Sequence, residues 1–255
     1  TITQGDSYKQ LGFMPDYHGW ETTTEHYFAQ FSPTYFDKAG RSSLATDPAF
    51  QAGFTLQKKL VDELGGFKKL ETYRATLGDE WGAKHPFHTG QVAMQLDGEW
   101  RLGMALAAKP KFDIGVAPLP VPDDQAGQYG KGYITGTITG IAATSHKQNA
   151  AWEFVKYITT NTDAVVNFSN AIHNVPSTLA ALKSPNLTYD PRFKTFLDIA
   201  ANPNSTTSPA SINGGVYLAT IQNFGYDYES GKVGDLKAGL KKTAAQIDTD
   251  IAQAK

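Results

Sequence analysis

Cysteine is absent from all 255 residues. That excludes a disulfide framework, a thiolate metal site and a cysteine nucleophile together; it fits an exported bacterial protein without structural disulfides, and a cytosolic one as well. No apolar run is long enough to span a bilayer. Strong charge of either sign is also missing. Lys and Arg number 23 against 25 Asp and Glu, a formal net charge of −2, which gives no electrostatic reason to expect nucleic acid or an anionic membrane as partner. There is no Gly-x-Ser-x-Gly elbow for serine hydrolysis. Gly130-Lys131-Gly132 is too short for a phosphate loop and lacks the Ser/Thr that should follow. His85 and His88 stand three apart, but Pro86 between them forbids a regular helix and no third ligand is near, so neither a metal nor a cofactor is expected. The start at Thr1-Ile2-Thr3 shows no signal peptide and no initiator Met, from which a processed or truncated chain is expected.

What the chain does have is aromatic surface: 12 Tyr, 14 Phe and 4 Trp, useful for packing or for stacking on sugar rings. With 40% hydrophobic residues it can bury a sizeable core, as one body or as two lobes. Gln10 to Met14 reads as a short strand ending at Pro15, and the loop Asp16-Tyr17-His18-Gly19-Trp20 leads from it into a helix over 21–30 with Tyr27, Phe28 and Phe31 as anchors. Asp47-Pro48 opens an amphipathic helix with Phe50, Phe54, Val61 and Leu64 on one side, stopped by Gly65-Gly66. The periodicity predicts strands over 112–118 and 137–143 and a helix capped by Ser145, with Ala151, Phe154, Val155 and Ile158 inward. Asp190-Pro191 opens another helix that should bury Phe193, Phe196 and Leu197. The polar, proline-punctuated stretch 202–209 is the best linker candidate. Two helices close the chain, the last with the stripe Leu236, Leu240, Ala244, Ile247 and Ile251. Strands alternating with helices predict an α/β fold with partly parallel sheets.

Trp100 is the most informative single residue. The strand-like run Val92 to Leu96 breaks at Gly98 and delivers an indole just past the strand end, where ligands of α/β proteins sit. Tyr17, His18 and Trp20 occupy a second post-strand loop; Tyr133, Thr135 and Gly136 combine an aromatic ring, a hydroxyl and a close backbone approach; Asn213, before Gly214-Gly215, and Tyr217 open a helix whose free N–H groups can meet ligand oxygens. Trp81 and Trp152 are expected to pack. Asp97 and Glu99 flank Gly98, and two carboxylates beside a sugar would also suit a glycoside hydrolase, the alternative reading.

Pro86 to Trp100, Gly115 to Pro120, Ala150 to Lys156 and Ser230-Gly231-Lys232 with Leu240 occur in the order found in bacterial extracellular solute-binding proteins of ABC transporters. The chain resembles the later part of family 1, the sugar-binding, maltose-binding-protein-like group, with Gln91 where Lys is frequent. The resemblance implies a periplasmic-binding-protein-like (type II) two-lobe α/β fold. It assigns residues 1–137 and 206–255 to the second lobe and 138–205 to a crossover and the returning segment of the first, most of which has no counterpart here. It further implies a non-enzymatic protein, extracellular or periplasmic, that holds a mono- or oligosaccharide in the interlobe cleft and delivers it to permease subunits. Trp100, Glu99, Trp20, Tyr17, His18, Tyr133, Thr135, Gly136, Asn213 and Tyr217 are its expected ligand contacts. A membrane tether through an N-terminal lipoprotein segment, and a second chain supplying the rest of the first lobe, are the further partners it suggests. The apolar faces of the 145–160 and 190–200 helices are accordingly expected to need cover from elsewhere.

Overall fold

The structure is a computed structural model and describes residues 1–15, 23–79 and 81–254. It begins with an antiparallel hairpin, β1 (Ile2–Gln4) and β2 (Ser7–Gln10). Past it the chain runs parallel to a later segment, Leu11 bridging Val92 and Met14 bridging Gln95. Three backbone hydrogen bonds hold that pair: Leu11 N–H to Gln91 O, Ala93 N–H to Leu11 O and Met14 N–H to Met94 O, at 2.8–2.9 Å. Helix α1 (Thr24–Phe28) continues into a 3-10 turn, Ala29–Phe31, and buries Tyr27, Phe28 and Phe31.

Helix α2 (Pro48–Glu63) forms because Asp47 accepts the Ala49 N–H at 2.8 Å and Pro48 supplies a preset φ at the first position. Its spaced apolar residues Phe50, Phe54 and Val61 are fully buried. It ends where Gly65 and Gly66 take positive φ values of 104° and 92°, conformations that residues with a Cβ rarely adopt. Three shorter helices follow: α3 (Phe67–Arg74), α4 (Pro86–Thr89) and α5 (Trp100–Ala107). Then come α6 (Gln148–Thr160), α7 (Thr162–Ile172), α8 (Leu179–Leu182) and α9 (Lys194–Ala201), and finally α10 (Val216–Glu229) and α11 (Leu236–Gln253).

The main core joins α1, α2, α10 and α11 through Phe28, Phe50, Phe54, Tyr217, Ile221, Phe224, Leu240 and Ile247. A second cluster under the hairpin gathers Tyr8, Leu11, Met14, Leu70, Tyr73 and Val92. A third links Leu102, Ala105 and Ile114 to Phe193, with Val175, Phe196 and Leu197 at its edge. A fourth lies wholly within the later segment: Val165, Val166 and Ala181.

Three expectations need correction. Residues 112–118 and 137–143 form no strand among the described residues. Alternation does describe burial in the first, where Ile114 is buried and Val116 half-buried, but no ladder partner runs beside it. In the second, Ile138 is 93% exposed. A side-chain period describes two faces; a strand also requires a neighbour. The helix expected from Ser145 begins at Gln148, and its Phe154 points out, 62% exposed, because no described element packs over that face. Phe193, in the 3-10 turn just before α9, is buried as expected, whereas Phe196 and Leu197 on α9 are half-buried.

Candidate functional site

Because 11–14 and 92–95 run parallel, the residues that follow each leave at the same end. One exit leads to Gly98-Glu99-Trp100. Residues 16–22, which hold Tyr17, His18 and Trp20, lie outside the described residues.

Asp97 organises the first exit. It accepts Nε2–H of Gln95 at 2.6 Å, Nε–H of Arg101 at 2.7 Å and the Gly98 N–H at 2.8 Å. Arg101 and Asp97 form a buried ion pair at i, i+4. Burial pushes the Asp97 carboxyl above its ordinary value, while the Arg101 guanidinium and the two other donors pull the opposite way. This pairing sets the start of α5, and the Trp100 indole folds back over Gly98. A Cβ at position 98 would lie 2.2–2.4 Å from the six-membered ring, so glycine is required for the approach. The indole is half-buried, and its Nε1–H is buried with no hydrogen-bond partner among the described residues. Glu99 turns the other way: its Oε1 accepts the Val175 N–H at 3.4 Å, and burial raises its carboxyl. Asp97 is therefore held by three donors and an ion pair, whereas Glu99 carries one long hydrogen bond.

Two tryptophans depart from the packing expected of them. Trp81 is 53% exposed, with the Arg101 guanidinium 5.8 Å from its ring centroid, and Trp152 is exposed on α6. His85 and His88 are buried with ring centroids 4.9 Å apart, and His85 Nδ1 accepts the Phe87 N–H at the start of α4. Burial first, then the charges of Arg101 and His88, lower His85 to about 3. Among the described residues no group of three potential metal ligands occurs.

The remaining candidates lie at a second parallel pairing and before α10. Ile134 donates to Thr206 O at 2.7 Å and Thr206 to Gly132 O at 2.9 Å, a parallel pairing centred on Tyr133 and Thr206. The Tyr133 hydroxyl shares a 2.7 Å hydrogen bond with Ser208, and its ring meets His26 edge-on at 4.6 Å. Thr135 and Gly136 are exposed just beyond. Asn213 Oδ1 accepts from Ser211 at 2.7 Å, and Gly214 and Gly215 carry it into α10 with φ values of 70° and 87°. Tyr217 must be corrected: it is a core residue, 2% exposed, between Tyr35 and Phe36, and its hydroxyl donates to Pro209 O at 2.7 Å. A separate groove of about 470 Å³ lies between α5 and the 169–193 segment, bordered by Leu102, Gly103, Leu106, His173, Tyr189 and Phe193. None of the expected ligand contacts among the described residues lines it.

The helix-rich α/β architecture is that of type II periplasmic sugar-binding proteins. A solved structure of CpMnBP1 with mannobiose bound superposes with a TM-score of 0.77 at 23% identity, covering 95% of this chain and 60% of that one. The maltose/maltodextrin-binding domain MalE from Bdellovibrio bacteriovorus, bound to maltotriose, gives 0.66 at 21% identity, covering 93% and 60%. The bacterial extracellular solute-binding protein family matches residues 14–165, more than half of the chain, and the chain belongs to that family. A curated relative, the maltotriose-binding protein of Pyrococcus abyssi, is 29% identical over 126 residues, which are 49% of this chain and 27% of that protein. The chain thus spans about 60% of the solved neighbours' length and about a quarter of the curated relative's.

Proposed function

We propose that this chain is the sugar-capturing part of an extracellular or periplasmic solute-binding protein, which holds a mono- or oligosaccharide in an interlobe cleft and delivers it to an ABC permease. The observation that carries the reading is the half-exposed Trp100 indole, placed just past the end of the parallel pair 11–14 and 92–95. Aromatic faces stack on the apolar faces of a pyranose, and hydroxyl groups and backbone amides meet its oxygens. Tyr133, Thr135, Gly136 and Asn213 supply such groups, and Glu99, whose Oε1 accepts from Val175, keeps acceptor capacity on its other oxygen. Closing the lobes over the sugar would favour one conformation for a permease to recognise.

The proposed lobes accord with the packing. The two largest cores draw only on residues 8–96 and 217–251, the smallest only on 165–187, and the third joins the two sets. Residues 138–205 then belong to the first lobe, with its other part, or another chain, covering α6 and α7.

Maltotriose and mannobiose, each bound in a solved neighbour, are the first ligands to test. Calorimetric titration beside a product assay decides the reading. Saturable binding with the sugar recovered intact is expected. Turnover that Glu99→Gln abolishes would replace transport by hydrolysis, and no binding to any sugar of a broad panel would remove both.

A further inference from the structure

Gly130-Lys131-Gly132 makes no phosphate loop, yet the structure gives its lysine an unusual place. Lys131 is fully buried. Its ammonium donates to Ser32 Oγ at 2.6 Å, Gln128 Oε1 at 2.8 Å and Gln125 Oε1 at 3.3 Å. All three donors are thereby used. Among the described residues no carboxylate pairs with it, so the charge is solvated by neutral oxygens alone. Burial holds this amine below the ordinary lysine value. A buried charge without a counter-ion is a poor device for stability, and an apolar side chain of similar length would avoid its desolvation.

Its geometry suggests another use. Ser32 ends the buried 3-10 turn after α1, 99 positions away in sequence, whereas Gln125 and Gln128 belong to the 3-10 turn Asp123–Gln128 just before the crossing. The next residue, Gly132, accepts from Thr206 and donates to Ser205 Oγ at 3.0 Å. Tyr133 follows with its bonds to Ser208 and its contact with His26. One ammonium thus joins the core, the approach to the crossing and the first residue of the pairing.

We infer that Lys131 is the positioning residue of the interlobe crossing: it pins the 132–134 and 205–208 pair to the α1 turn and so fixes where Tyr133 stands and where bending can begin. The links to sugar and to an interlobe crossing rest on the function and lobes proposed above; the pinning of the 132–134 and 205–208 pair does not. Hydrogen exchange without sugar tests it. In Lys131→Met the amides of Ile134 and Thr206 are expected to exchange at least tenfold faster, with α10 and α11 unchanged. Ser32→Ala, which removes one acceptor from the core side, should accelerate the same amides by a smaller factor. Unchanged exchange at Ile134 and Thr206 in both variants would overturn the inference, as would equal acceleration at every amide, which is general destabilisation. If the parent binds mannobiose, Lys131→Met should bind it about tenfold more weakly, and unchanged affinity beside fast-exchanging crossing amides would refute the positioning of Tyr133.

Discussion

Phe54 and Phe154 sit on helices of similar amphipathic pattern and meet opposite fates. Phe54 on α2 is fully buried, with the Phe28 and Phe224 rings edge-on at 4.8 and 5.0 Å. Phe154 on α6 shares an open face with Tyr157, three positions on, while Trp152 is exposed on another side of the same helix. Large apolar side chains exposed in contiguous patches mark contact sites in other soluble proteins. Apolar spacing states which side of a helix must be covered; it does not say what covers it.

The contrast breaks or sharpens on substitution. Phe54→Ala is expected to destabilise by about 3–5 kcal/mol, as cavity formation under a large aromatic does, whereas Phe154→Ala should stay within about 0.5 kcal/mol, as at exposed positions. Urea unfolding measures both; similar losses would mean that α6 is covered in solution. Phe154→Asp should in addition reduce any self-association seen by sedimentation.

Acid should act on the core side through His85. Its folded value near 3 lies below the unfolded value of about 6.5, so the unfolded chain binds the proton more readily. The contribution is complete above about pH 6.5 and is lost as the pH falls toward 3, by at most about 1.4 kcal/mol per pH unit. Urea midpoints between pH 7 and 5 should drop in the parent and less in His85→Asn. Equal slopes would assign the acid sensitivity elsewhere.

Trp100→Ala is expected to weaken sugar binding by about 1–3 kcal/mol, the range for a large desolvated anchor, with a smaller change in melting temperature. The reverse pattern would make Trp100 a packing residue like Tyr217. Tyr217→Phe gives the smallest effect. Loss of its hydrogen bond to Pro209 O should lower stability by about 1 kcal/mol, with sugar affinity unaltered; a large affinity loss would return Tyr217 to the ligand face.

Much of this was legible in the residues. Asp47-Pro48 and Gly65-Gly66 bracket α2 as their capping chemistry requires, and Leu240, Ala244 and Ile247 of the last stripe are buried. Trp100 does follow a segment in parallel register, and Gly98 does make room for it. Tyr217 misled because a tyrosine after Gly-Gly at a helix start suits a ligand face and a core equally; the rings of Tyr35 and Phe36, some 180 positions earlier, decide between them. The ion pair of Asp97 with Arg101 had a local signal, the i, i+4 spacing, but its burial had none. Lys131 gave no hint at all, since its partner Ser32 lies 99 positions away.

By itself the sequence determined the limits of α2, the existence of the other long helices and the family motifs, because caps, periodicity and residue types act over a few neighbours. Tertiary structure alone decided which apolar faces are covered, whether an extended run finds a partner, and where Tyr217, Glu99 and Lys131 are used. Those outcomes depend on contacts between residues far apart in the chain, which no local pattern encodes.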